Sequence, residues 1–203
     1  MGLIRRSFTH LNVKTFCQLY KTIVRNPLEY AIATWCPAKI KDIEKLEGVQ
    51  RRATKLLPGL RDLSYQDRLR QLQLPSLAYR RARGDMIETY KIITEKYDIE
   101  AIPNIQRANP DLATRGHTYK LAKIRSTTKT RTNFFTNRIV DPWNNLPQNI
   151  VSAPTLNSFK NRLDNHSNNQ DILYDYKATI KSKCPPNSRM QQSIYTIDLD
   201  IQD

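Results

Sequence analysis

The sequence has few glycines and cysteines and contains no long apolar run. Among its 203 residues there are five glycines, too scattered to form a Gly-rich phosphate loop, which excludes a dinucleotide-binding or P-loop enzyme. The three cysteines (Cys17, Cys36 and Cys184) include no CxxC pair, which argues against a disulfide framework and a zinc site. No stretch approaches the roughly 20 apolar residues of a membrane helix, and the N-terminus lacks the apolar core of a signal peptide. We therefore expect an intracellular protein of the nucleus or cytoplasm that is not secreted, with no membrane partner.

The sequence also lacks a recognisable catalytic or metal-binding cluster. No two carboxylates are adjacent, and the three histidines (His10, His117 and His166) stand far apart, as expected for surface or capping residues. Six acidic residues lie beside Lys or Arg on predicted helices and are expected to form solvent-facing ion pairs: Glu29, Asp42, Glu44, Glu47, Asp85 and Glu88. We predict no catalytic residue, no metal site and no small-molecule substrate.

Positive charge is abundant and unevenly distributed. The formal net charge is +14, and residues 1–163 hold 29 Lys and Arg against 13 Asp and Glu. Nine basic residues fall within 51–83, and seven fall within 112–140, where there is no acidic residue. A basic surface of this kind gains free energy beside a polyanion by releasing counterions, which favours nucleic acid as a partner over a merely solvated face.

Apolar residues recur at helical spacing over most of the chain, which predicts a mostly α fold. Caps are expected at Asn12, Ser64, Ser76 and Thr155. Pro27 is predicted to end the first helix, and Pro142 to kink or divide a helix over 134–146. The longer helices are predicted at 12–25, 38–57 and 77–97.

The remaining segments are less regular. Tyr119, Leu121 and Ile124 predict one or two short strands, a small β-hairpin within 117–132. The polar sequence after Asp164 predicts a disordered or weakly ordered C-terminal tail. The expected organisation is a helical region at 1–97, a connecting loop and basic segment at 98–132, a C-terminal helical segment at 133–164, and a low-complexity tail at 165–203.

Several segments resemble the C-terminal, post-palm portion of reverse transcriptases from non-LTR (LINE-type, jockey-like) retrotransposons. The most characteristic are Val49-Gln50-Arg51-Arg52-Ala53, Tyr79-Arg80-Arg81 and Trp143-Asn144-x-Leu146-Pro147, and the resemblance covers roughly the first 164 residues. One departure is Asn26, which stands between Arg25 and Pro27 where the family has no extra residue. The family's metal-binding carboxylates have no counterpart in this sequence, so Mg²⁺ is implied only for the full-length polymerase and no cofactor is expected here.

The resemblance implies a helical thumb-like region that grips an RNA/DNA template–primer duplex and packs on palm and fingers domains not contained in this chain. Tyr65, Tyr79, Tyr119 and Phe134 interleave with basic residues and could stack on bases, although core packing explains most such aromatics. The alternatives are a structural module with no activity of its own and a host protein that has acquired a new partner. The residues predicted to contact nucleic acid are Arg51, Arg52, Lys55, Arg80, Arg81, Arg83, Lys120, Lys123, Arg125, Lys129, Arg131 and Arg138.

Overall fold

The computed structural model describes residue 6 and residues 11–98, 100, 102–109 and 116–178. Within these ranges the regular elements are helices, and the only β pairing is one isolated antiparallel bridge between Arg107 and Leu121. The predicted mostly α fold is therefore confirmed. Residues 179–203, the larger part of the predicted tail, lie outside the described residues.

The chain divides into two compact units. Among the described residues, the first unit comprises those up to Arg81 together with Asp171–Ala178, and the second comprises those within Ala82–Gln170. In the first unit the helices are α1 (Val13–Leu19), a π-helical turn (Tyr20–Arg25), α2 (Asn26–Glu29), α3 (Ile40–Thr54), a 3-10 turn (Pro58–Leu60), α4 (Tyr65–Leu72) and a 3-10 turn (Asp171–Leu173). Helix α5 (Leu77–Ile93) begins in the first unit and ends in the second. The helices of the second unit are α6 (Lys129–Thr132), α7 (Phe135–Arg138), α8 (Val140–Asn144), α9 (Gln148–Val151) and α10 (Leu156–Ser167).

Pro27 does not end the first helix at Arg25, because the chain passes through a π-helical turn into α2. Proline has no N–H to donate, and its ring excludes the carbonyl four residues earlier. Widening the preceding turn relieves that conflict, and a π turn is also how a helix absorbs one extra residue. Asn26, the extra residue noted in the sequence, follows this turn directly. The helix ends instead before Ala31, whose φ of 52° is left-handed.

The core of the first unit consists of apolar side chains from α1, α3, α4 and the turns beside them. Phe16 and Tyr20 stack with ring centroids 5.9 Å apart, and both are fully buried. The other members of this core are Ala53, Leu57, Leu60, Leu69, Leu72 and Leu74. Tyr174 also packs against this core, so residues 171–178 of the predicted tail are folded in the first unit, and residues 165–167 belong to α10 of the second.

Two polar side chains of α3 lie within this apolar surround. Gln50 accepts a hydrogen bond from the Tyr20 hydroxyl (2.6 Å) and donates to the Pro75 carbonyl (3.0 Å). Glu47, predicted to face solvent, is instead fully buried, and it accepts from the Tyr65 hydroxyl (2.7 Å) and the Ala78 N–H (2.8 Å). Burial raises the pKa of Glu47, and these donors oppose that rise. The α5 N-terminus is thus capped from another helix.

The predicted β-hairpin within 117–132 does not form in the described residues. The extended part of that segment pairs with an earlier one: Ala108 donates to the Lys120 carbonyl (2.9 Å), and Ala122 donates to the Gln106 carbonyl (2.8 Å). The later part turns into α6, which Thr128 caps through the Arg131 N–H. One threonine of the segment that was predicted to form strands therefore supplies a helix cap.

Pro142 does not divide a helix at its own position. The break between α7 and α8 falls at Ile139, and Pro142 is the third residue of α8. A first-turn position has no intrahelical donor to lose, so proline is tolerated there.

Candidate nucleic-acid interface

The twelve cations predicted to contact nucleic acid are not equivalent. Arg138 on α7 is 5% exposed, and its Nε and Nη2 donate to the two carboxylate oxygens of Asp85 on α5, both at 2.9 Å. Its Nη1 donates to the Asn133 carbonyl (3.2 Å). Asp85 was expected to face solvent and is 4% exposed. A buried pair of this geometry is structural, and Arg138 cannot reach a phosphate without breaking it.

Of the three predicted contacts on α5, two are paired with carboxylates within their own units and the third is buried. Arg80 forms a bidentate pair with Glu29, whose Oε2 lies 2.7 Å from Nη2, and Arg25 approaches the same carboxylate at 3.4 Å. Arg83 pairs with both oxygens of Asp164, at 2.5 and 2.7 Å. Arg81 is 6% exposed. These guanidinium groups serve the fold, although Arg80 and Arg83 keep part of their surface in solvent.

The cations at the end of α3 are divided between contact and exposure. Arg51 is half-buried; its Nη2 donates to the Tyr176 hydroxyl (2.9 Å), and its guanidinium lies over the Tyr65 ring (5.3 Å to the centroid). Arg52 and Lys55 are exposed. Their position at the helix C-terminus suits the dipole, which gives them an ordinary structural explanation as well.

The second unit carries most of the exposed predicted contacts. Lys123, Arg125, Lys129 and Arg131 are all exposed, and within the described ranges only Lys123 has an acidic partner, Asp141, at 2.5 Å. Lys120 is half-buried, and its side chain packs against Gly116. A side chain at position 116 would clash with it, since a Cβ there would lie 2.5 Å from the Lys120 Cε. Segment 123–134 therefore presents positive charge to solvent.

Exposed aromatic rings accompany these cations. Phe134 is 50% exposed, with the Arg131 guanidinium 5.6 Å from its ring centroid, and Tyr119 is 39% exposed. Tyr65 and Tyr79 were also predicted to stack on bases. Tyr79 is 7% exposed, and the Tyr65 hydroxyl is bonded to Glu47, so both belong to the packed interior. Of the four aromatic residues, only Tyr119 and Phe134, in the second unit, have rings exposed enough to stack on bases.

The Trp143-Asn144 motif holds the basic segment in place, a role that the sequence pattern did not reveal. The Trp143 indole donates to the Tyr119 carbonyl (2.8 Å). The Asn144 side-chain amide donates to the Leu121 carbonyl and accepts from the Leu121 N–H, both at 2.9 Å. These bonds connect residues more than twenty positions apart, so the local periodicity of the sequence could not predict them.

His117 completes this arrangement and is not the surface residue that was expected. It is 4% exposed, its Nε2 lies 3.0 Å from the Trp143 carbonyl, and its Nδ1 lies 3.2 Å from the Tyr119 N–H. Those partners suit a neutral ring that donates from Nε2 and accepts at Nδ1. Burial lowers the pKa of His117, and the nearby Lys120 lowers it further.

The described residues contain no group of three or more His, Cys, Asp or Glu side chains that could hold a metal ion. Within the same ranges, no helix has the length and apolar character needed to cross a membrane.

No protein-family model matches the chain, and no curated protein or solved structure matches it at a significant level. The resemblance to reverse transcriptases stays a prediction from the sequence motifs.

Proposed function

We propose that the chain is a C-terminal part of a non-LTR retrotransposon reverse transcriptase that binds template–primer nucleic acid without sequence preference. The observation that carries the proposal is segment 123–134, where exposed cations and an exposed aromatic ring lie together. The polymerase's Mg²⁺ and catalytic carboxylates would belong to the palm, outside this sequence. Such a protein would act in the nucleus or cytoplasm and would not be catalytic by itself.

The chemistry of this surface suits backbone recognition. Lys and Arg contacts to phosphate fix position without reading sequence, and each releases counterions on binding. An aromatic face beside an arginine adds stacking that every base can use. A template–primer hybrid presents a closely spaced phosphate backbone and, where the template extends beyond the primer, unpaired bases.

The test is the salt dependence of binding to a short RNA–DNA hybrid. We expect log K to fall steeply with log salt, and the Lys129→Ala/Arg131→Ala double variant to reduce the magnitude of that slope by about 2, one per contact removed. Arg80 and Arg81 are poor choices for this test, because the first is paired with Glu29 and the second is buried.

The matched control is Lys14→Ala/Lys41→Ala, which removes the same charge from exposed lysines of the first unit. It should change the slope by less than half as much. Equal effects of the two doubles would mean that diffuse net charge drives binding, which contradicts a defined contact surface.

A second candidate function is a structural module that packs on another domain. Large apolar side chains of the first unit are exposed between residues 13 and 35: Val13 (50%), Ile23 (58%), Tyr30 (78%) and Trp35 (38%). Exposed apolar side chains mark a protein contact where they form one contiguous patch. Absence of hybrid binding even at low salt would favour this function over the first.

A further inference from the structure

Arg51 differs from three other arginines of this chain in the contacts of its side edge, the side of the guanidinium group that carries Nε and Nη2. Arg80, Arg83 and Arg138 each direct Nε and Nη2, the two donors of that edge, at both oxygens of one carboxylate. Arg51 directs the same edge at a single neutral oxygen, the Tyr176 hydroxyl, 2.9 Å from Nη2. Its Nε is buried and has no hydrogen-bond partner among the described residues. One of the two donors of this edge, Nη2, is therefore bonded, and the other, Nε, is not.

The nearest acidic side chain on the same helix, Glu47, is bonded to the Tyr65 hydroxyl and the Ala78 N–H and forms no ion pair with Arg51. Arg68 is 2% exposed, lies over the Tyr65 ring (5.8 Å to the centroid), and donates to neutral oxygens of Thr54 (3.1 Å) and Leu63 (2.7 Å). Within the described part of the chain, neither Arg51 nor Arg68 has a carboxylate at ion-pair distance. Two guanidinium groups near the Tyr65 ring therefore have no carboxylate at ion-pair distance, which is costly for partly buried charge.

Tyr176 is held at this position by the strap, which we define as residues 171–178. The strap is fastened to Ser76, whose N–H donates to the Leu173 carbonyl (2.8 Å) and whose hydroxyl donates to the Ile172 carbonyl (2.7 Å). The Tyr176 ring contacts Tyr65 edge-on (6.3 Å), and Lys177 Nζ lies 5.9 Å from its centroid. Tyr176 itself is half-buried, so a small opening at the end of the strap would release it.

We propose that Tyr176 is a phosphorylation site and that its phosphate is bound by the side edge of Arg51. A protein tyrosine kinase would supply ATP: the phenolic oxygen attacks the γ-phosphorus, the bond to the β-phosphate oxygen breaks, ADP leaves, and the phenolic proton passes to the kinase's base. The product carries oxygens for both Nη2 and Nε of Arg51, the bidentate geometry that the other three arginines form with carboxylates.

Tyr174, two residues earlier, is the natural comparison. Its ring lies 6.0 Å from the Arg70 guanidinium, but Arg70 is already paired with Asp67 (2.8 Å). A phosphate on Tyr174 would compete with that carboxylate, whereas a phosphate on Tyr176 meets an unused donor. This inference is independent of the proposed function, since it concerns only the strap and Arg51.

The first experiment treats the full chain with ATP and a broad-specificity tyrosine kinase and maps the modified sites among its ten tyrosines by mass spectrometry. We expect Tyr176 to be modified at least several-fold faster than Tyr174, with the signal lost in Tyr176→Phe. Modification that spares Tyr176 while other tyrosines react would overturn the proposal.

The second experiment installs phosphotyrosine at position 176 of the full chain by codon suppression and titrates it by ³¹P NMR. A phosphate held by Arg51 should bind its second proton about tenfold more weakly than free phosphotyrosine does. Arg51→Gln should abolish that difference, and Arg52→Gln, on the exposed neighbour, should preserve it. Identical titrations with and without the Arg51 guanidinium would overturn the proposal.

Hydrogen exchange of residues 174–178 provides a readout that does not depend on the kinase. Phosphorylation should slow exchange there about tenfold, and only when Arg51 is present. If instead an oligonucleotide accelerates exchange of the strap in the unmodified chain, the Arg51 edge belongs to nucleic-acid phosphate, and the proposal fails.

Discussion

The two basic stretches of the sequence, 51–83 and 112–140, have different fates in the structure. In the first, Arg68 and Arg81 are buried, and Arg80 and Arg83 are held by carboxylates. In the second, Arg125, Lys129 and Arg131 remain exposed, and Arg138 is the buried exception. Similar densities of positive charge therefore include several arginines that are buried or paired within the fold in one stretch, and mainly exposed side chains in the other. A basic run in a sequence does not by itself indicate an exposed basic surface.

The largest effect is expected at the buried pair of the second stretch. Asp85→Ala would leave Arg138 buried without its carboxylate, and we expect it to lower the free energy of unfolding by about 3–5 kcal/mol in a urea titration. Asp85→Leu combined with Arg138→Met should recover most of that loss, because burying an apolar pair carries no cost of removing charged groups from water. A loss no greater than that of Asp164→Ala, whose carboxylate is 40% exposed, would contradict a buried structural pair.

An intermediate effect is expected at the first stretch. Arg80→Ala should cost about 1–2 kcal/mol of unfolding free energy, because a charge-assisted bidentate contact is lost while Arg25 still accompanies Glu29. Arg52→Ala, at an exposed position on α3, should change it by less than about 0.5 kcal/mol. Both values follow from thermal or urea unfolding. Equal costs would mean that the Glu29 contact adds nothing beyond an ordinary surface arginine.

The smallest effect is a pH dependence at His117. Because its folded-state pKa lies below the ordinary value of 6.5, the unfolded chain takes up a proton first as the pH falls. The free energy of unfolding should therefore fall as the pH drops below about 6.5. Between pH 7.5 and 5.5, the free energy of unfolding of the His117→Gln variant should fall by less than that of the unsubstituted protein. Taking the difference between the two proteins removes other titrating groups such as Glu47. Equal losses of unfolding free energy in the two proteins would mean that other groups, not His117, cause the pH dependence.

Local features of the fold were predictable from the sequence. Asn12, Ser64 and Thr155 each accept from a backbone N–H three residues later, as the cap rules predict, at 2.7, 3.2 and 3.1 Å. Helical spacing also places Gln50 and Ala53 on one face of α3, and both are buried. These predictions succeeded because a cap or a helical stripe depends on residues within one or two turns.

The nature of the candidate site could be predicted only in part. A charge count located the acid-free segment that carries Lys129 and Arg131, but it could not separate Arg138 from them. The partners that bury or engage the arginines lie 51 to 81 positions away, as with Glu29 for Arg80 and Asp164 for Arg83. No local pattern encodes such pairs, because they depend on how the helices pack.

The double hydrogen bond from Asn144 to Leu121 has a consequence for self-association. The backbone groups of an extended segment usually form a template onto which a strand from another molecule can add. Here the N–H and the carbonyl of Leu121 are both bonded to one side-chain amide, while the Lys120 carbonyl is bonded to Ala108 and the Ala122 N–H to Gln106. A single asparagine thus substitutes for a missing strand and closes a short edge to aggregation.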